Sequence, residues 1–268
     1  MIPKINLSDT GKEIPVFSLG TWDIRNRKSM IDTIRYSIEI GLNHIDTAEI
    51  YGIAEDVVGE AIQGIERDRV FITSKVAPYN ASFKGTISAC EKSLKRLKTE
   101  YIDLYLIHWY EPFLNLEETF SAFSKLIETG KIRYAGVSNF KISELERAIQ
   151  VFKPFKIVNN QVEYNLDNFR HVEKELAPFC EKNKIIISGY SPLWQKKPPR
   201  GTNKWEVLEE VAKKYEATPF QIVLNFLLRT GKIFLIFKTE KIEHLKENLD
   251  SLKFKIEKED IEKIKKAF

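Results

Sequence analysis

Cysteine is scarce in this chain. Its 268 residues contain two, Cys90 and Cys180, far apart and in no Cys-x-x-Cys or Cys/His spacing. This spacing argues against a disulfide framework or a thiolate metal site and predicts two reduced structural thiols. Long apolar runs are missing too. No stretch approaches the roughly 20 residues a membrane-spanning helix needs, and Met1-Ile2-Pro3-Lys4-Ile5-Asn6 lacks the apolar core of an export signal. A soluble, cytoplasmic protein without membrane attachment is expected. Neither Gly-x-Gly-x-x-Gly nor Gly-x-x-x-x-Gly-Lys-Ser/Thr occurs, which argues against a Rossmann half and a P-loop. Charge of one sign is not in excess: 42 Lys and Arg face 38 Asp and Glu, leaving +4. With no basic arm and no basic–aromatic stripe, nucleic acid is not an expected partner.

What is present describes a globular protein with ample core, 43% hydrophobic and 30% charged. Abundant Lys, Glu and Ile with little Cys and Met fit a heat-loving host or a low-GC genome. Short apolar runs alternate with longer amphipathic stretches, the pattern of repeated βα units. Strands are expected at Phe17–Leu19, His44–Asp46, Val70–Ser74, Leu104–Ile107, Ala135–Val137, Ile157–Asn160, Ile185–Tyr190 and Ile233–Ile236. Helices are expected at Lys28–Ile40, Ala54–Gln63, Lys84–Leu97, Leu116–Glu128, Ser143–Phe152, Val172–Asn183 and Pro219–Leu228, the last after a Thr218 cap. Residues 5–14 read as a hairpin turning near Asp9–Gly11. With no linker or repeat, the expectation is one α/β domain over residues 1–268, a closed (β/α)8 TIM barrel. Extra helices are expected within Trp194–Glu216, after a surface loop at residues 195–201, and at Glu257–Ala267.

In such barrels the chemistry sits at the C-terminal ends of the strands. Asp46 ends the second expected strand, Lys75 follows the third, and His108 follows the fourth. Tyr51 lies a few residues past Asp46. Each has a structural alternative: Asp46 and Lys75 as a buried ion pair, His108 as a core histidine, Tyr51 as a pocket wall. Their corresponding places in successive βα units favour a catalytic set. An acid, a phenol, an amine and an imidazole together can transfer a proton to a carbonyl. A free phenol has a pKa of about 10, and a nearby ammonium is expected to lower it. Asp46 would position Lys75, and His108 would donate to the carbonyl oxygen. No metal is required, and no metal-ligand spacing is visible.

Four blocks resemble the aldo-keto reductase superfamily along nearly the whole chain. They are Leu19-Gly20-Thr21-Trp22; Asp46-Thr47-Ala48-Glu49-Ile50-Tyr51-Gly52 with Glu55 and Val58-Gly59-Glu60-Ala61-Ile62; residues 97–109 ending in His108-Trp109; and Gly130-Lys131-Ile132-Arg133 with Gly136-Val137-Ser138-Asn139-Phe140. The resemblance implies a nicotinamide cofactor bound without a Rossmann fold, beside Gly20 and Thr21. Ser138, Asn139 and Gln161 would bind the carboxamide, Tyr190 would stack on the ring, and Ser191 and Leu193 would lie near the pyrophosphate. Lys238 and Thr239 would take a 2′-phosphate, and Glu247 and Asn248 the adenine; the alternative for residues 240–248 is a solvated helix. Two departures stand out: Phe237 replaces the family's usual proline, and His244 replaces an arginine. Because an imidazole holds phosphate less firmly than a guanidinium, NADP(H) is favoured while NAD(H) stays open.

Trp22, Tyr51 and Trp109 give an aromatic wall suited to small aldehydes and ketones. The chain as given stops soon after the last helix, so the expectation is an open, permissive pocket. The implied function is NAD(P)H-dependent reduction of carbonyls to alcohols by a monomer or weak oligomer. Two alternatives remain at this point: an NAD-linked sugar or alcohol dehydrogenase, and a cofactor-binding regulatory protein on the same scaffold.

Overall fold

The computed structural model describes residues 1–195 and 198–268. Of the loop expected at residues 195–201, Lys196 and Lys197 lie outside the described residues. The chain opens with β1 (Lys4–Asn6) and β2 (Glu13–Pro15), an antiparallel hairpin. Eight parallel strands then close into a barrel: β3 (Phe17–Gly20), β4 (His44–Asp46), β5 (Phe71–Val76), β6 (Ile102–Ile107), β7 (Ile132–Ser138), β8 (Ile157–Glu163), β9 (Ile186–Tyr190) and β10 (Ile233–Lys238). They follow chain order around the barrel, and β10 pairs with β3 to close it. Both the barrel and the hairpin match expectation.

Successive residues of a strand face opposite sides, and that alternation sorts the side chains. Residues facing outward, among them Ile72, Tyr105 and Ile107, join the large core between the barrel and its helices. A smaller cluster of Phe71, Leu104, Leu106, Ile186, Phe234 and Ile236 fills the barrel interior. Leu7 and Ile14 from the opening hairpin belong to it and are fully buried. The hairpin is therefore a plug for the end of the barrel at which the strands begin.

Several of the surrounding helices start at a side-chain cap. Asn26, Ser82, Asn115 and Thr202 each accept a backbone N–H of the first turn of the helix they precede, which satisfies a donor that would otherwise lack a partner. Thr218 and Gln221 form a reciprocal capping box before Pro219–Leu228. The extra helices are Asn203–Lys214 and Lys258–Ala267, and Ile242–Asp250 is helical as well.

Two expectations need correction. Lys75 lies inside β5, not after it, because the strand runs on to Val76 and Lys75 pairs in register with Leu106. The helix expected over Val172–Asn183 is Phe169–His171, a π-helical turn at Val172–Leu176, and Ala177–Lys182. Pro178 has no N–H to donate and its ring crowds the preceding turn; a widened turn just before it accommodates both.

One glycine sets a helix spacing. A Cβ on Gly59 would lie 2.3 Å from the Arg96 carbonyl oxygen, so Ala54–Ala61 can approach Phe83–Leu97 only because that atom is missing. Gly59→Ala is expected to cost about 2 kcal/mol through overpacking, read as a lower urea midpoint. An unchanged midpoint would mean that the helices separate freely.

Candidate active site

In β5 and β6 the inward-facing stripe is apolar at the plugged end and polar at the other. In β5 the order is Phe71, Thr73, Lys75, and the inward stripe of β6 runs Leu104, Leu106 and on to His108. β4 contributes His44 and Asp46. The C-terminal rim thereby collects the residues the sequence singled out.

Lys75 is fully buried, and its Nζ donates to Asp46 Oδ1 at 2.7 Å and to the Thr47 carbonyl at 2.8 Å. Asp46 Oδ2 accepts Gln161 Nε2 at 2.8 Å, so both carboxylate oxygens are engaged. The Lys75 ammonium lies 5.0 Å from the centre of the Tyr51 ring. Tyr51 Oη is 3.4 Å from His108 Nε2, and the two rings meet edge to face.

Burial alone would push the Lys75 ammonium down; the Asp46 carboxylate and the Tyr51 phenol outweigh it and raise its pKa. Burial raises the Tyr51 phenol, and Lys75 only partly offsets this. The expected lowering of Tyr51 is therefore not what the structure gives: desolvation wins. Burial, helped by the Lys75 charge, lowers His108 to about 3. This imidazole is neutral at ordinary pH. Its Nδ1 is buried and has no hydrogen-bond partner among the described residues. An orphaned lone pair is tolerated better than an orphaned N–H, so we assign the proton to Nε2, facing Tyr51 and the cavity.

A second network borders this one. Asn139 adopts a left-handed backbone at φ 61°, which turns its side chain between two strands. Its Nδ2 donates to the His108 carbonyl at 3.3 Å and to Ser138 Oγ at 3.0 Å, and its Oδ1 accepts Tyr190 Oη at 2.9 Å. Ser138 Oγ donates to the Gln161 carbonyl at 2.9 Å. Burial pushes the Tyr190 phenol up to about 12.

These side chains line a cavity of about 500 Å³ open to solvent. Gly20, Thr21, Trp22, Asp46, Tyr51, His108, Trp109, Ser138, Asn139, Gln161, Tyr190, Ser191, Leu193 and Lys238 all line it. Lys75 lies beneath its wall. Trp22 and Trp109 are about half exposed, at 50% and 44%. Thr239, His244, Glu247 and Asn248 are not part of the lining. Thr239 bonds within its own turn, to Lys241, and the Glu247 carboxylate accepts Thr218 Oγ1 at 3.0 Å. His244 is exposed, and the Asn248 side chain is buried.

The sequence reading missed Ile50, Glu163, Pro192, Trp194, Gln195 and Ile236 as lining residues. Strand alternation could have found two of them: Glu163 lies two residues past Gln161, and Ile236 two before Lys238. The others come from loops, where no periodicity reports on direction.

The aldo/keto reductase family profile matches residues 17–268. The chain belongs to the aldo/keto reductase family. This family member is 38% identical over 262 residues to methylglyoxal reductase YeaE of Escherichia coli (strain K12), an alignment covering 95% of this chain and 91% of the relative. It is 36% identical to glyoxal reductase of Bacillus subtilis (strain 168), covering 95% and 89%. Among solved structures it is similar to a thermostable aldo-keto reductase, Tm1743, in complex with the inhibitor epalrestat, at TM-score 0.93 and 38% identity with both chains fully covered. An aldo-keto reductase from Klebsiella pneumoniae in complex with NADPH aligns at TM-score 0.90 and 33% identity, covering 100% of this chain and 96% of the other. The reaction class of this aldo-keto reductase is the reduction of carbonyls.

Two stability predictions follow from the buried charges. Lys75→Met leaves Asp46 buried with Gln161 as its remaining partner; the expected loss is about 3–5 kcal/mol in urea unfolding, and a loss under about 1 kcal/mol would show that Asp46 takes up a proton or water once the ammonium is gone. The second concerns pH. Burial lowers His44, like His108, to about 3, whereas an unfolded histidine titrates near 6.5. Between these values the unfolded chain binds protons that the folded chain does not, so stability is full above about pH 6.5 and falls as pH falls towards 3. From pH 6.5 to 5 the two histidines together should remove about 3 kcal/mol. A urea midpoint that stays constant over that range would mean both histidines protonate without unfolding.

Proposed function

We propose that this aldo-keto reductase reduces small aldehydes and ketones with NADPH as hydride donor, and that Tyr51 delivers the proton. The observation carrying this reading is the arrangement at the cavity floor: a protonated phenol beside a neutral imidazole, above a buried ammonium. The donor set also fits the cofactor. Ser138, Asn139 and Gln161 offer hydroxyl and amide groups of the kind that pair with a carboxamide, Tyr190 offers a ring beside them, and Lys238 offers a cation at the cavity edge. When bound, NADPH supplies the hydride that reduces the carbonyl carbon.

The protein's own residues do the rest. His108 Nε2–H and Tyr51 Oη, 3.4 Å apart, can both approach one carbonyl oxygen, holding it in place and stabilising the negative charge that grows there. Burial keeps Tyr51 protonated, so it begins as an acid. As its proton leaves, the Lys75 ammonium offsets the new phenolate charge. Asp46 keeps that ammonium charged and aimed, and Gln161 holds the second oxygen of Asp46, which links the cofactor wall to the proton-transfer set. In the oxidative direction the same phenolate would accept the proton.

The names of the two bacterial relatives, methylglyoxal reductase and glyoxal reductase, point to small reactive dicarbonyls as first substrates to try. Trp22 and Trp109, both lining the open cavity, make aromatic aldehydes the second class to try. Tyr51→Phe should lower kcat by about 10²–10⁴-fold while cofactor affinity stays within about twofold, since general acid catalysis contributes on that scale. Consumption of NADPH with methylglyoxal, glyoxal and a panel of simple aldehydes measures kcat, and a variant retaining full turnover would show that another group is the acid.

A further inference from the structure

At the cavity edge Lys238 is not a free cation. Its Nζ donates to the Asp23 carbonyl at 2.7 Å and to Glu240 Oε1 at 2.6 Å. Glu240 is the more buried of the pair, 13% exposed against 30%. Its two oxygens also accept the backbone N–H groups of Arg25 at 2.9 Å and Asn26 at 2.8 Å. Burial pulls the Glu240 carboxyl upward, but the Lys238 ammonium and the two N–H groups hold it below the usual carboxylate range. Glu240 is therefore charged at neutral pH, and the charge of the pair sums to nothing.

We propose that Glu240 is a specificity-determining residue of the cofactor site, limiting the preference for a dinucleotide with a 2′-phosphate over one with a free 2′-hydroxyl. The proposal rests on the assignment of Lys238 to the adenosine end of NADPH made above. An ammonium has three donors, and two of those of Lys238 are committed. A phosphate reaching the third meets the Glu240 carboxylate bound to the same ammonium, and like charges at contact distance repel. A neutral 2′-hydroxyl suffers no such repulsion and can donate to the carboxylate.

Two cations of nearby segments are engaged elsewhere. Arg25 pairs with Asp23 at 3.3 Å, and Lys246 lies over the Tyr36 ring at 5.1 Å. His244, in the place of the family's arginine, offers an imidazole where a guanidinium fork would have added a permanent charge.

Glu240 also ties the segment 23–26, next to Trp22, to the end of β10. A purely structural strap would affect every dinucleotide alike. A charge that opposes phosphate would change the ratio between two dinucleotides. The test is to titrate tryptophan fluorescence with NADP+ and with NAD+, since Trp22 and Trp109 line the cavity, in the unaltered protein, Glu240→Gln and Glu240→Ser. Removal of the charge should tighten NADP+ at least about tenfold and leave NAD+ within about threefold, the size of effect that a charge in direct contact exerts. Both variants should move the ratio the same way, so loss of fold in one leaves the other decisive.

An unmoved ratio, or both dinucleotides weakened by the same factor, would overturn the proposal and leave Glu240 a strap. If the unaltered protein bound neither dinucleotide, the cofactor assignment would fall and this proposal with it.

Discussion

A lysine side chain without solvent exposure lies at the centre of this protein, paired with a carboxylate 2.7 Å away. Taking two such charges out of water costs several kcal/mol each, which their attraction offsets only when the remaining donors and acceptors are engaged. Here they are. Lys75 also reaches the Thr47 carbonyl, and Asp46 also accepts Gln161. Those partners come from β4, the loop after it, β5 and β8, so the pair constrains the barrel as well as the chemistry. The charge it keeps beneath Tyr51 also offsets part of the burial cost of a phenolate.

Alternation along the strands decides why the site forms where it does. One inward stripe carries Phe71 into the plugged interior and Lys75 to the rim; another carries Leu104 and Leu106 inward before reaching His108. The apolar part of each stripe excludes water from below. The polar end is thereby desolvated enough to hold His108 neutral and Tyr51 protonated. Core packing and acid–base tuning are two consequences of one burial gradient.

The cofactor wall is built differently. Its contacts run between loops and strand ends: Asn139 at φ 61° joins His108 to Tyr190, and Glu240 joins Lys238 to the chain after β3. Such contacts bring together segments far apart in sequence. A local change in one of them, such as the glutamate at position 240, can alter the cofactor site while the rest of the barrel stays as it is.

The order of elements, the eight barrel strands and the residues at their ends were readable because each depends on local pattern. Period-two apolar runs, the helix cap at Thr218, and the rim positions of Asp46 and His108 all report on neighbours a few residues away. The strand carrying Lys75 was ended two residues too early, at Ser74, because a buried lysine with a long apolar stem looks like the end of an apolar run. The lowered phenol pKa expected from a nearby ammonium was wrong in sign because desolvation depends on everything packed around Tyr51. Gln161 on Asp46, 115 residues away, and Tyr190 on Asn139 were invisible to pattern. By itself the sequence determined which side chains reach the rim, because strand alternation is a property of the local backbone. Only the tertiary structure decided which of them touch and how far burial shifts their charges, because distance and solvent exclusion arise when the barrel closes.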